Sequence, residues 1–226
     1  MILITNYIFI ISAVIIFFGI VNAVRLHFSV RHLKKQYAIL QCAQIDKSNS
    51  WPNIIILIPV LRESEVIGQT LQFFSRLRYP RMKLRIAVIT TEREFENDFD
   101  DKKNTITITR EKIKEFNTQN QNQLFHHIHY LNRHGVKADQ LNYAIEQLQI
   151  LLPNYFNSQT YIGVYDVDSI IPNNTLEVLI KDAIINKYPN IYQQPTFYFN
   201  NYKILPLNLN GLLSKSFSWL QSAFAL

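Results

Sequence analysis

The residues from position 2 to 24 carry no charge and are dense in Ile, Val and Phe. As a helix rising about 1.5 Å per residue, such a run reaches roughly 34 Å, enough to cross the hydrocarbon core of a bilayer. The first prediction is therefore a transmembrane anchor over 1–24. A cleaved signal peptide fits less well. Val21-Asn22-Ala23 has the small-residue pattern of a cleavage site, but no Lys or Arg precedes the apolar run, which is also long for a signal core. Arg25, Arg31, Lys34 and Lys35 follow the run with no acid among them. Positive flanks stay on the cytoplasmic side, so the rest of the chain is expected there, with the basic segment able to rest on anionic headgroups.

Those four cations also account for most of the net charge of +6, leaving +2 for the rest of the chain. The basicity is that of a membrane flank, and no nucleic-acid partner is expected. The chain has 226 residues, 48% of them apolar and 18% charged, with Gly at 5 and Pro at 8. That composition excludes disorder and fibrous repeats, and the length suits one α/β domain behind the anchor. The single cysteine, Cys42, excludes an internal disulfide and a thiolate zinc cluster.

Beyond a basic segment and linker over 25–50, of which 36–50 reads as a polar connector, strands and helices alternate. Residues 53–60 (NIIILIPV) form the continuous β-branched run of a strand buried on both faces. Residues 65–78 carry apolar positions at helical spacing and stop at Tyr79-Pro80. A second strand is predicted over 84–89, a third over 127–131, a helix over 138–151 and a fourth strand over 161–165. A further helix is expected from Pro172, capped by Asn173, Asn174 or Thr175. Between the second and third strands, 105–109 reads as a short strand, 112–116 as a helical turn and 117–122 as a polar loop. The fold class is α/β, a Rossmann-type sandwich with a mostly parallel sheet preceded by one transmembrane helix.

Ligands of such sheets sit outside the carboxyl ends of the strands. By that rule residues 59–63, 90–92, 132–137 and 166–169 border one crevice. Asp166 and Asp168 are two carboxylates one residue apart at a strand end. Hard oxygen ligands of this kind hold Mg²⁺ or Mn²⁺, which complete their shells with water and phosphate oxygens. A metal bridging a diphosphate would neutralise charge on a departing nucleoside diphosphate. Lys137, before a helix, is a candidate phosphate partner, and an exposed lysine in a polar loop is its bland alternative. Asp139 reads as a helix cap. His126, His127, His129 and His134 invite a zinc reading, but on a strand His127 and His129 share a face, His126 points away and no cysteine completes a set. No P-loop, dinucleotide fingerprint or nucleophile elbow occurs.

Taken in order, these segments resemble family 2 glycosyltransferases of the membrane-bound, cellulose-synthase-like kind, which have a GT-A fold. Ile58-Pro59-Val60-Leu61-Arg62-Glu63 is similar to that family's I-P-x-x-N-E. Lys137-Ala138-Asp139-Gln140-Leu141-Asn142 is similar to K-A-x-A-L-N, and Asp166-Val167-Asp168 to its D-x-D. Gln193-Gln194-Pro195 resembles a segment that follows D-x-D in membrane members. The resemblance covers about 53–200. It implies a GT-A-like nucleotide-sugar-binding domain over 51–200, with an incomplete acceptor-side or interfacial segment over 201–226. It implies Pro59 and Glu63 beside the nucleoside, Lys137 on the diphosphate side, and Asp166 with Asp168 on a divalent cation, Mg²⁺ or Mn²⁺, and the diphosphate. The implied activity is transfer of a sugar from a nucleotide-sugar donor to an acceptor at the cytoplasmic membrane face.

Two departures qualify that expectation. Where the family carries paired aspartates that contact the base, this chain has Thr90, Thr91 and Glu92, so Glu92 is the remaining donor-binding candidate. The family's catalytic base and its Q-x-x-R-W lie well beyond D-x-D, whereas no acid follows Asp182 here. The chain is therefore expected to be truncated and to lack its general base. The alternative expectation is a non-catalytic, membrane-anchored nucleotide-sugar-binding module. A haloacid-dehalogenase-like phosphatase is disfavoured, because its aspartate pair follows the first strand and Ile170 stands where it needs Thr. A purely structural membrane protein is the remaining reading. The aromatic stretch 197–226 is expected to line an acceptor site or lie along the membrane interface.

Overall fold

A computed structural model of the chain describes residues 2–42, 51–97, 104–119, 123–157, 159–192, 194, 208 and 210. The expectations for 43–50, 120–122, Gln193 with Pro195, and almost all of 197–226 lie outside the described residues. The chain divides into two compact units, 45–184 on one hand and 1–44 with 185–226 on the other.

In the second of these, α1 runs unbroken from Ile2 to Cys42. It is long and apolar enough to cross a membrane. The helix continues through 36–42, where the sequence suggested a connector. Its character changes along its length. Phe9, Ile10, Ile15, Phe17 and Phe18 are exposed on all sides, whereas further on Leu26 and Leu40 are buried. Val30 and Leu33 are half-buried on the same helical face.

The unit 45–184 is built on four strands: β1 (Asn53–Pro59), β2 (Leu84–Thr91), β3 (Phe125–Tyr130) and β4 (Thr160–Val164). They form one sheet in the order β3-β2-β1-β4, and every pairing is parallel. Parallel neighbours need crossovers, which α2 (Ile67–Phe74), α3 (Thr105–Gln119) and α4 (Lys137–Leu151) supply, and α5 (Thr175–Ile185) follows β4. This is the α/β sandwich expected from the alternation of apolar runs.

β1 lies inside the sheet, so its side chains are buried alternately on both faces. Ile54, Ile56 and Ile58 pack with Leu71 and Phe74 of α2, Ile113 of α3 and Ile180 of α5. Ile55 and Leu57 pack with Ala87, Ile89, Ile128 and, from α4, Ala144 and Leu148. Each isoleucine fully removed from water contributes about 1.5–3 kcal/mol, which is why a run with no polar alternation makes a central strand.

Two helices differ from expectation. The stretch Thr105-Ile106-Thr107-Ile108-Thr109 alternates β-branched residues like a strand, yet it is the first half of α3. Asn104 accepts the Thr107 amide on Oδ1 at 2.8 Å, an N-cap. Thr105, Ile106, Thr109 and Ile113 then form its buried face. The cap and the buried stripe outweigh local strand preference. α2 is shorter than the predicted 65–78, because the chain leaves the helix after Phe74 to bring Leu77 and Tyr79 into the core.

Candidate functional site

The strand order fixes where a site can form. The chain steps from β1 outward through β2 to β3, then returns across the sheet to place β4 on the other side of β1. The loops leaving β1 and β4 at their carboxyl ends both lead to helices on one face of the sheet, α2 and α5, whereas the loop after β3 leads to α4 on the other face. The crevice expected at a reversal of strand order lies where these loops meet. Pro59 ends β1 and Val164 ends β4. The Tyr165 amide still donates to the Leu57 carbonyl at 3.0 Å, so Asp166 emerges beside the end of β1.

The Asp166-Val167-Asp168 triplet is held by its middle residue. Val167 is buried in the core, and its carbonyl accepts the Thr70 hydroxyl of α2 at 2.6 Å. The Ser169 amide closes a turn onto the Asp166 carbonyl at 3.0 Å. With Val167 turned inward, Asp166 and Asp168 are both left exposed. Tyr165, packed against Phe74, has its phenol pushed up to about 12 by burial, so it stays protonated beside the acidic pair.

Lys137 reaches the same place from β3. It is the first residue of α4, and its ammonium donates to Asp166 Oδ1 in a direct ion pair. The loop before it is set by Gly135, where a Cβ would lie 2.5 Å from the Tyr130 ring. Tyr130 in turn packs on Tyr143 of α4, with ring centroids 5.2 Å apart. Asp139 accepts the Val136 amide at 2.9 Å, so it caps α4 as its position suggested.

Glu63 and Arg62 leave β1 under the control of a residue that the sequence did not single out. Glu94, 3% exposed, accepts the Arg62 amide on Oε2 and the Thr105 amide on Oε1, each at 2.8 Å. Thr105 Oγ1 in turn accepts the Glu63 amide at 2.9 Å. Arg62 takes φ 59°, a left-handed conformation that costs a side-chain-bearing residue about 1 kcal/mol. Reading 105–109 as a short strand conceals this arrangement, because Thr105 opens α3.

Glu92 follows β2 and is already engaged. Its Oε1 lies 2.9 Å from His129 Nε2, and its Oε2 lies 3.7 Å from the Arg133 guanidinium. His129 Nδ1 meets Thr90 Oγ1 at 2.9 Å, and His127 Nε2 meets the same oxygen at 2.8 Å. Burial, with Arg110 and His129 nearby, pushes the His127 pKa down to about 4. His126 faces the other way, where burial and Arg85 lower its pKa as well.

A divalent cation is the group that the sequence implies here. Among the described residues no three His, Cys, Asp or Glu side chains gather into a protein cage. Two exposed carboxylates one residue apart fit a hard ion that keeps several waters and arrives with phosphate oxygens. The structure thus brings Pro59, Lys137, Asp166 and Asp168 to the crevice and Glu63 beside it, and puts Glu92 two strands from Asp166 on the same sheet edge.

No family model matches the chain, and no curated protein matches it. Among solved structures, a mannosyltransferase from Pyrobaculum calidifontis in complex with GDP-Man and Mn2+ superposes with a TM-score of 0.45 at 16% identity. The match covers 81% of this chain and 50% of that one, so the chain spans half the length of that structure.

Proposed function

We propose that the chain binds a nucleotide-sugar donor in the crevice between β1 and β4 and serves a membrane-anchored glycosyltransferase of the family 2 kind. The observation that carries the reading is convergence. Segments at 58–63, 137–142 and 166–168, separate in sequence and similar in order to that family's motifs, all lie at one carboxyl sheet edge, and Lys137 and Asp166 are in direct contact. α1, with Arg25, Arg31, Lys34 and Lys35 on it, would anchor the donor-binding unit on the cytoplasmic side.

In this reading Asp166 and Asp168 hold a divalent cation, Mg²⁺ or Mn²⁺, against the donor's diphosphate. The cation supplies charge that stabilises the departing nucleoside diphosphate. Lys137 donates to a phosphate oxygen from the start of α4, whose free amides favour the same anion. Val167 and Thr70 keep the two carboxylates turned outward. Pro59, Glu63 and Glu92 border the nucleoside along β1 and β2. The purified full chain should bind a nucleoside diphosphate tightly only when Mn²⁺ or Mg²⁺ is present. Metal-dependent binding without release of sugar from a labelled donor would favour the binding module over the enzyme. Binding indifferent to metal would remove the basis for the reading.

A further inference from the structure

We infer that His129, held by Thr90 and through it by His127, is a positioning residue that fixes the Glu92 carboxylate as an acceptor at the carboxyl edge of β2. What Glu92 meets rests on the donor reading above; the hydrogen-bond chain rests on geometry alone.

With His129 neutral, the hydrogen-bond chain has one allowed direction. An ionised carboxylate can only accept, so His129 Nε2, 2.9 Å from Glu92 Oε1, must carry a proton. A neutral His129 then has a lone pair on Nδ1, and the Thr90 hydroxyl at 2.9 Å spends its single proton there. The Thr90 oxygen is left to accept, and the partner at 2.8 Å is His127 Nε2, which must carry a proton too. His127 is kept neutral by its surroundings, in keeping with a chain that contains no cation. Three side chains on two strands are thus each reduced to one tautomer or rotor, all pointing toward Glu92.

The two ends of the chain differ in a way that a purely internal brace would not need. Thr90 is 1% exposed, whereas the Glu92 side chain is 23% exposed and Arg133, 3.7 Å away, is 58% exposed. At that separation Arg133 does not fill Oε2 as a hydrogen-bond partner. The anchored end is buried, and the end with acceptor capacity opens at the sheet edge. β2 and β4 flank β1, and two strand spacings of about 4.8 Å place that acceptor roughly 10 Å across the sheet from the acidic pair. That span suits a nucleoside reaching from its diphosphate to its base.

The test uses the full chain in detergent, with ¹⁵N-labelled histidine. Both His127 and His129 should show the Nε2-protonated neutral form at pH 7.5. In parallel, binding of GDP, UDP and inorganic pyrophosphate is measured with Mn²⁺ present. Thr90→Val, close in shape but without the hydroxyl, should weaken the better-bound nucleoside diphosphate about tenfold and leave pyrophosphate unchanged, and Thr90→Ser should restore it. An Nδ1-protonated His129 in the native chain overturns the inference. So does a Thr90→Val chain that binds as the native one, or one that loses pyrophosphate equally. A native chain that binds none of the three ligands overturns the donor reading instead, and the tautomers still decide the hydrogen-bond chain.

Discussion

Lys137 and Asp166 form an ion pair although they follow strands at opposite edges of the sheet, β3 and β4. The contact is possible because α4 returns across the face of β1 and β2, with its first turn at the carboxyl edge. Both side chains are more than half exposed, so the pair adds little to stability. Its consequence is to park a cation and a carboxylate together where a diphosphate and a metal would meet them. Lys137→Met should therefore leave the melting temperature nearly unchanged and weaken nucleoside diphosphate binding about tenfold. A drop in melting temperature with unaltered affinity would show the pair to be structural.

The buried Glu94 carboxylate should be a large stability determinant. Glu94→Leu removes the acceptor for the amides of Arg62 and Thr105. Leaving two such donors unsatisfied costs about 2–5 kcal/mol. Denaturant unfolding measures it, and a loss below about 1 kcal/mol would mean that water or other groups replace the carboxylate easily.

Arg62 tests backbone strain at the same turn. Its amide bonds to Glu94 irrespective of side chain, while φ 59° penalises any Cβ. Arg62→Gly should be neutral or stabilising by about 0.5–1 kcal/mol, with loss of the 3.3 Å bond from the guanidinium to the Arg93 carbonyl as the opposing effect. Marked destabilisation would show that this side chain matters more than the strain.

Gly135 is needed for space and not for φ. A methyl group there meets the Tyr130 ring at 2.5 Å, and that ring is braced by Tyr143. Gly135→Ala should destabilise by about 1–3 kcal/mol, and Tyr130→Leu in the same chain should recover most of the loss. Equal losses in the single and double variants would point to a different cause.

The pH dependence of stability follows from His127. Its folded pKa is about 4 against an ordinary 6.5. Above pH 6.5 neither folded nor unfolded chain takes the proton, and stability is intact. Between 6.5 and 4 only the unfolded chain binds it, so stability falls by up to about 1.4 kcal/mol per pH unit. Below 4 this group has no further effect. His126, also depressed, acts with the same sign. Unfolding at pH 7.5, 6 and 5 should show the decline, and His127→Gln should flatten it.

The strands were legible because burial on both faces leaves a simple trace: β1 is an unbroken apolar run, and so is most of β2. The position of Asp166 and Asp168 at a strand's carboxyl end was legible from the apolar run before them, while the ion they are proposed to hold rests on the chemistry of paired carboxylates and on the resemblance. Glu92 was named, but its partners were not, since His129 and Arg133 become neighbours only when β3 pairs with β2. Glu94 stayed hidden for the same reason. Its value comes from amides 32 and 11 residues away, and no local pattern marks a carboxylate that will accept them. The first half of α3 misled because β-branched alternation and a buried helical face look alike over five residues.

The central claim is that Asp166 and Asp168 turn outward together to hold a divalent ion against a diphosphate. Calorimetric titration of Mn²⁺ and a nucleoside diphosphate into the full chain, beside Asp166→Asn and Asp168→Asn, tests it most directly. The account predicts metal-dependent binding by the native chain that each substitution weakens at least tenfold, with the fold unchanged by circular dichroism. Native-like affinity in both variants would contradict it.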